Sequence, residues 1–145
     1  AEPGEAWLGL SDEERFLLYE LSPESRRGAP ADRLARAYCA GLQAVPFEWW
    51  GHPGSLSTET ARHLIAIGSP AASWLRPLLE VGTPLRYLNG EANTMVEHFG
   101  WIVGDLAADA AAQILGVAFD ARARADERAG RRAELGRALD SLPRP

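Results

Sequence analysis

The groups in this chain best suited to acid–base, nucleophilic or metal chemistry are His52, His63, His98, Cys39 and a few spaced carboxylates, and their spacing limits what each can do. Cys39 falls in a helical segment with Arg36 at i−3 and no histidine, too weak an electropositive setting for an activated thiolate, so an inert packed thiol is expected. Asp105 and Asp109 share one helix face at i, i+4 without a companion histidine or nucleophile. They are expected to repel each other on a solvated face or to pair with an arginine. Asn89, Glu91 and Asn93 alternate as the first ligands of a calcium loop do, but Thr94 stands where that loop needs glycine and Gly100 where it needs glutamate. A turn followed by a helix cap is expected there, and no metal site. Glu97-His98 reverses the order of a zinc-protease helix and lacks its second histidine. His52 lies in a loop with no hydroxyl, thiol or carboxylate brought to it by a motif, which suits a hydrogen-bonding role.

The loop around His52 is the unusual segment. Pro46, Gly51, Pro53 and Gly54 disfavour regular structure while Phe47, Trp49 and Trp50 concentrate aromatic area. Two roles fit. The rings can anchor the loop onto the helices, with an indole N–H bonded to backbone, or one or both can stay exposed as an anchor for a partner. The expected partner-binding residues are Phe47, Trp49 and Trp50, with Tyr87 and Asn89 as weaker candidates.

The elements that must position these residues are helical. Ser11-Asp12-Glu13-Glu14 is a capping-box pattern opening a helix with Leu17 and Leu21 on one face and Phe16, Leu18 and Tyr19 beside them, ended by Ser22-Pro23. A second helix opens at Pro30 and runs through Leu34, Ala37, Tyr38, Gly41, Leu42 and Val45. Between Ser57 and Gly82, Ala61, Leu64 and Ile65 recur at helical spacing before a Gly68-Ser69-Pro70 break, and Trp74, Leu75, Leu78 and Leu79 recur after it. Pro77 should bend that second segment and Gly82-Thr83-Pro84 end it. A third strong helix, Trp101 to Leu115, carries Ile102, Leu106, Ala110 and Ile114, with Gly116 placed to stop it. Leu64, Ile65, Trp74, Leu75, Leu78, Leu106 and Ile114 form the expected core.

At 145 residues the chain suits one domain, taken as residues 1–145 with an N-terminal arm over 1–10, in which Trp7 and Leu8 are docking points, and a charged helix and tail over 117–145. One cysteine excludes an internal disulfide and the paired-cysteine zinc and haem motifs. All 15 basic residues are arginine, against 20 acidic ones, for a net charge of −5, which argues against nucleic-acid binding. Arginines cluster near the end, yet Asp120–Arg124 and Glu127–Arg131 have the acid-first i, i+4 order of a solvated, self-paired helix. The stretch His63 to Leu75 is too short and too broken to span a membrane, so a soluble domain without a membrane span is expected. A start at Ala1 fits a removed leader, a trimmed chain or loss of an initiator methionine, which leaves both cytoplasmic and exported locations open.

The residues from Leu64 through Gly68-Ser69-Pro70 to Leu79, with Val103 to Gly116, resemble a HEAT-type helical hairpin and the opening helix of a following unit, as in HEAT-like proteins of GC-rich bacteria. The resemblance covers about residues 58–116. HEAT units repeat every ~40–47 residues and at least three usually make a stable array, so this would be a short, degenerate relative. It implies a binding scaffold and brings no catalytic residues. The expected protein is an all-α domain of five or six helices with irregular loops, not an enzyme and without cofactor. It would serve as a protein-interaction module or accessory subunit of a larger bacterial assembly, binding a protein partner or itself. The rivals are a small hydrolase or metal-dependent enzyme using His52, His63 or His98, and a self-assembling structural subunit.

Overall fold

The computed structural model describes residues 9–143; the docking points expected at Trp7 and Leu8 lie outside them. The chain begins with α1 (Asp12–Leu21), whose capping box is closed in both directions: Ser11 Oγ accepts from the Glu14 N–H at 3.1 Å, and Glu14 Oε1 accepts from the Ser11 N–H at 3.0 Å. Its buried face is Phe16 and Tyr19, while Leu17 and Leu21, the expected apolar face, are exposed. At 100° per residue the buried face lies nearly half a turn from the leucines, and the aromatic pair offers the larger area to α3.

Pro23 does more than end α1. Ser22 Oγ accepts from the Ser25 N–H and Pro23 occupies the first turn of α2 (Pro23–Gly28), where its missing donor costs nothing. The long α3 (Ala31–Ala44) follows Pro30 as expected and packs closely on α1. Gly41 permits that approach, since a Cβ there would lie 2.7 Å from the Phe16 ring.

Thr58 caps α4 (Glu59–Ile67), accepting from the Ala61 N–H. Beyond Gly68 the expected second helix of the hairpin is broken into pieces: a 3-10 turn at Ser69–Ala71, the four-residue α5 (Ala72–Leu75) and another 3-10 turn at Arg76–Glu80. Pro70 and Pro77 each remove a backbone donor, so no continuous α-ladder can form. In this tighter winding Leu75 and Leu79 turn fully inward, Leu78 is half-buried, and Trp74 is exposed instead of in the core, its ring under the Arg36 guanidinium at 5.1 Å. Ile65 and Ile114 are also only half-buried, leaving Leu64, Leu75 and Leu106 as the fully buried members of the expected core group.

Asn89 caps an additional helix, α6 (Gly90–Phe99), which Gly100 ends at φ 68°. The chain then pairs briefly with residues 81–85: the Leu85 N–H donates to Trp101 O and the Val103 N–H to Thr83 O. This leads into α7 (Val103–Leu115), the centre of the molecule, in which every residue from Val103 to Ala112 is buried. Its small side chains let α4, α5, the Arg76–Glu80 turn and the last helix, α8 (Ala125–Asp140), close around it. The described residues thus form an all-helical structure of eight α-helices, not five or six, sharing one hydrophobic core. The extra helices are α2, opened by Pro23 where α1 was expected simply to end, and α6, which follows the cap expected at Asn89; α5 is what remains of the second hairpin helix. No helix is long and apolar enough to cross a membrane among the described residues.

Candidate functional site

The tryptophan loop divides between core and surface. Pro46 sets up a 3-10 turn at Phe47–Trp49, and the next residue, Trp50, is driven inward to 1% exposure. Its ring stacks on Phe16 at 5.5 Å and its Nε1–H donates to Gly41 O at 3.2 Å, so the indole is satisfied and closed to any partner. Trp49 remains 38% exposed, with its carbonyl held by the Thr58 hydroxyl. Tyr87 is also buried, its hydroxyl donating to Gly51 O at 2.7 Å and its ring tilted against the half-buried Phe47. Asn89 is exposed, but its side-chain oxygen accepts from the Glu91 and Ala92 N–H groups as the cap of α6. Of the five expected partner-binding residues, Trp50 and Tyr87 therefore present no free ring, and Trp49 and Asn89 reach solvent.

Between this loop and the start of α6 is an open cavity of about 400 Å³, lined chiefly by Glu48, His52, Tyr87, Asn89, Glu91 and Met95. Glu48 is its most unusual member. One oxygen, Oε1, accepts from the Leu88 N–H at 2.9 Å, whereas Oε2 is closed off from solvent without a hydrogen-bond partner. A carboxylate oxygen left in that state carries a free-energy cost that a nearby positive charge would relieve. Burial pushes the Tyr87 phenol well above its ordinary range and the Glu48 charge adds to the effect. Glu91 is the second acid in the wall, and neither arginine nor lysine lines the cavity. Tyr87, Ala92 and Met95 supply the apolar part of the lining, so the site combines a negative wall with an apolar floor.

The three histidines do not converge. His52 stacks on Trp101 at 5.3 Å with Nδ1 3.1 Å from Pro53 O, and His98 packs edge-on against Phe99 on the surface. Among the described residues no three His, Cys, Asp or Glu side chains are grouped to hold a metal ion. Among the described residues, His63 is the histidine with a carboxylate in hydrogen-bond reach, Glu20 of α1, at 2.8 Å from its Nδ1. Glu20 also accepts from the Tyr38 hydroxyl at 2.6 Å and from the Thr60 hydroxyl, with Arg26 Nη1 3.7 Å away. Burial by itself would raise the Glu20 carboxyl, but the bonds from Thr60, Tyr38 and His63 outweigh it and hold the group below its usual range. Glu20, Tyr38 and Thr60 escaped the sequence reading because Glu20 and His63 stand 43 positions apart and share no motif.

Cys39 is buried, and burial pushes its thiol up to about 12. Asp105 and Asp109 lie on no solvated face: α7 is enclosed on all sides, so both are buried. Asp105 pairs with Arg128 and Arg132, the arginine pairing that was one of its two expected fates. Asp109 accepts from the Gly54 N–H at 2.7 Å and from Gln113, and burial raises its carboxyl above the ordinary range. The tail helix is likewise not wholly solvated, because Arg128 turns inward; instead of the expected i, i+4 pairs, Arg124 meets Asp126 and Glu127, Arg131 meets Glu134, and Asp140 pairs with Arg76.

No protein-family model matches this chain, and no curated protein or solved structure matches it either.

Proposed function

We propose that this chain is a protein-interaction module, without catalytic activity of its own, whose docking site is the cavity between the Phe47–Trp50 loop and α6. The single observation that carries the reading is Glu48, a carboxylate with one oxygen fixed and the other closed in and unpaired at the wall of an open, acid-lined cavity. Its fitting occupant is a basic segment of a partner protein. An arginine or lysine would enter between Glu48 and Glu91 while Tyr87, Ala92 and Met95 supply apolar contact around its stem. The HEAT-like character of residues 58–116 belongs to the same proposal, supported by the packing of α4 on α7 and opposed by the breakage of the second hairpin helix.

The test is a titration of the isotopically labelled protein with an acetylated peptide of alternating Arg and Leu, beside its Glu/Leu counterpart. The Arg peptide should shift the amides of residues 47–52 and 87–95, weaken with added salt, and bind Glu48→Gln about tenfold or more less tightly. Equal shifts from both peptides, or none in these segments, would refute the site. Light scattering after gel filtration decides the rival of self-assembly: a stable oligomer that Glu48→Gln leaves intact would show that the chain builds structure through another face.

A further inference from the structure

Between α2, the first half of α3 and α4, an open cavity of about 210 Å³ is lined by Arg26, Leu34, Tyr38, His63, Ala66 and Ile67. We infer that this cavity binds a small organic acid, with the carboxylate held between His63 Nε2 and the Arg26 guanidinium and an apolar body, such as one aromatic ring, lying on Leu34, Ala66 and Ile67. The inference does not depend on the docking site at Glu48.

The side chains enter from three helices and are held before any ligand arrives. Glu20, ionised and therefore only an acceptor, accepts a hydrogen bond from His63 Nδ1–H, which fixes the tautomer and leaves Nε2 as the uncommitted ring nitrogen. The Tyr38 ring meets the imidazole edge-to-face at 6.2 Å, and the bond to Glu20 orients it. Arg26 donates Nη1 to Tyr19 O at 3.0 Å, with Glu20 3.7 Å away, so that the guanidinium is anchored at the cavity wall. The remainder of the wall is apolar. A closed apolar cavity of ~150 Å³ accepts a benzene ring, so the volume here suits a ring with one carboxyl group.

Charge decides between an acid and a neutral or cationic ligand. The groups facing the imidazole are Glu20 from α1, Arg26 from α2, Tyr38 from α3 and Thr60 from α4. With His63 neutral, Arg26 and Glu20 cancel and Nε2 offers only a lone pair. A carboxylate that binds together with one proton taken from solvent onto Nε2 meets two charge-assisted donors, the imidazolium and the guanidinium, which together outweigh Glu20. A cationic ligand would face Arg26 with Glu20 already occupied by three donors.

Nuclear magnetic resonance with benzoate, benzamide and benzamidine as probes tests this. Benzoate should give saturable shifts at Leu34, Tyr38, His63, Ala66 and Ile67 and move the His63 Nε2 nitrogen signal toward its protonated position. Benzamide should bind about tenfold or more less tightly, the value of one lost charge-assisted bond, and benzamidine should not bind. Ala66→Trp, which fills the mouth without touching the Glu20 network, should abolish the benzoate shifts at an unchanged Tm, and Arg26→Gln should weaken them. Absence of saturable shifts at these residues, equal binding of benzamide, or benzoate binding that survives Ala66→Trp would overturn the assignment and leave the network as structural cross-bracing alone.

Discussion

Asp105 and Arg128 form an ion pair sealed inside the protein, with Nε 3.3 Å from Oδ1 and side-chain exposures of 2% for Arg128 and 0% for Asp105. Arg128 also donates to Ala123 O and Phe99 O, both at 2.6 Å, so one guanidinium ties α8 to the ends of α6 and the preceding loop. Arg128→Ala should therefore lower unfolding stability by about 3–5 kcal/mol, as expected when one partner of a buried pair is removed. Arg132→Ala, which removes the more exposed second cation on Asp105, should cost less, about 1–2 kcal/mol. Urea unfolding of the two variants checks the order; a smaller loss for Arg128→Ala would contradict the geometry.

Trp49 and Trp50 should separate cleanly. Trp50→Ala removes a fully buried ring and its bond to Gly41 O, and should cost about 3–5 kcal/mol. Trp49→Ala should cost about 1 kcal/mol or less, because the half-open ring leaves little cavity behind. In acrylamide quenching, loss of Trp49 should remove an accessible fluorophore and loss of Trp50 a protected one.

Two glycines in helices should respond with opposite sign. A Cβ at Gly104 would sit 2.5 Å from the Leu79 carbonyl oxygen, so Gly104→Ala must push α7 from the Arg76–Glu80 turn at a cost of about 1–3 kcal/mol. Gly130, inside α8, has open space around it, and Gly130→Ala should raise stability by about 0.5–1 kcal/mol. Thermal melts of the pair provide the comparison.

Acid should release the Glu20 network. The folded carboxyl lies below its ordinary value of 4.5, so its stabilising contribution is fully present above that value and is lost as pH falls through the folded one. Glu20→Gln should be less stable than the parent at neutral pH, and the gap should narrow steadily as the solution is taken below about pH 4. A gap that stays constant down to the acid transition would mean that the network is neutral in the folded protein.

Local patterns were legible in the sequence wherever the cause is local. The capping box at Ser11, the entry at Pro30, the cap at Asn89 and the stop at Gly116 all depend on groups within a turn of one another, and the structure has each of them. All-helical character followed from the same periodicities. Which face of a helix is buried did not follow: Leu17 and Leu21 of α1 match Phe16 and Tyr19 in hydrophobicity, and only the position of α3, with Gly41 open to the Phe16 ring, selects the aromatic pair. The split between Trp49 and Trp50 was beyond reach for the same reason, since both indoles occupy one loop and a single backbone carbonyl at Gly41 claims one of them. Most of all, tertiary structure alone brings Glu20 to His63, Asp105 to Arg128 and Glu48 to Leu88. These pairs span 43, 23 and 40 positions, and attraction between charged or polar groups so distant along a chain leaves no periodicity for the sequence to display.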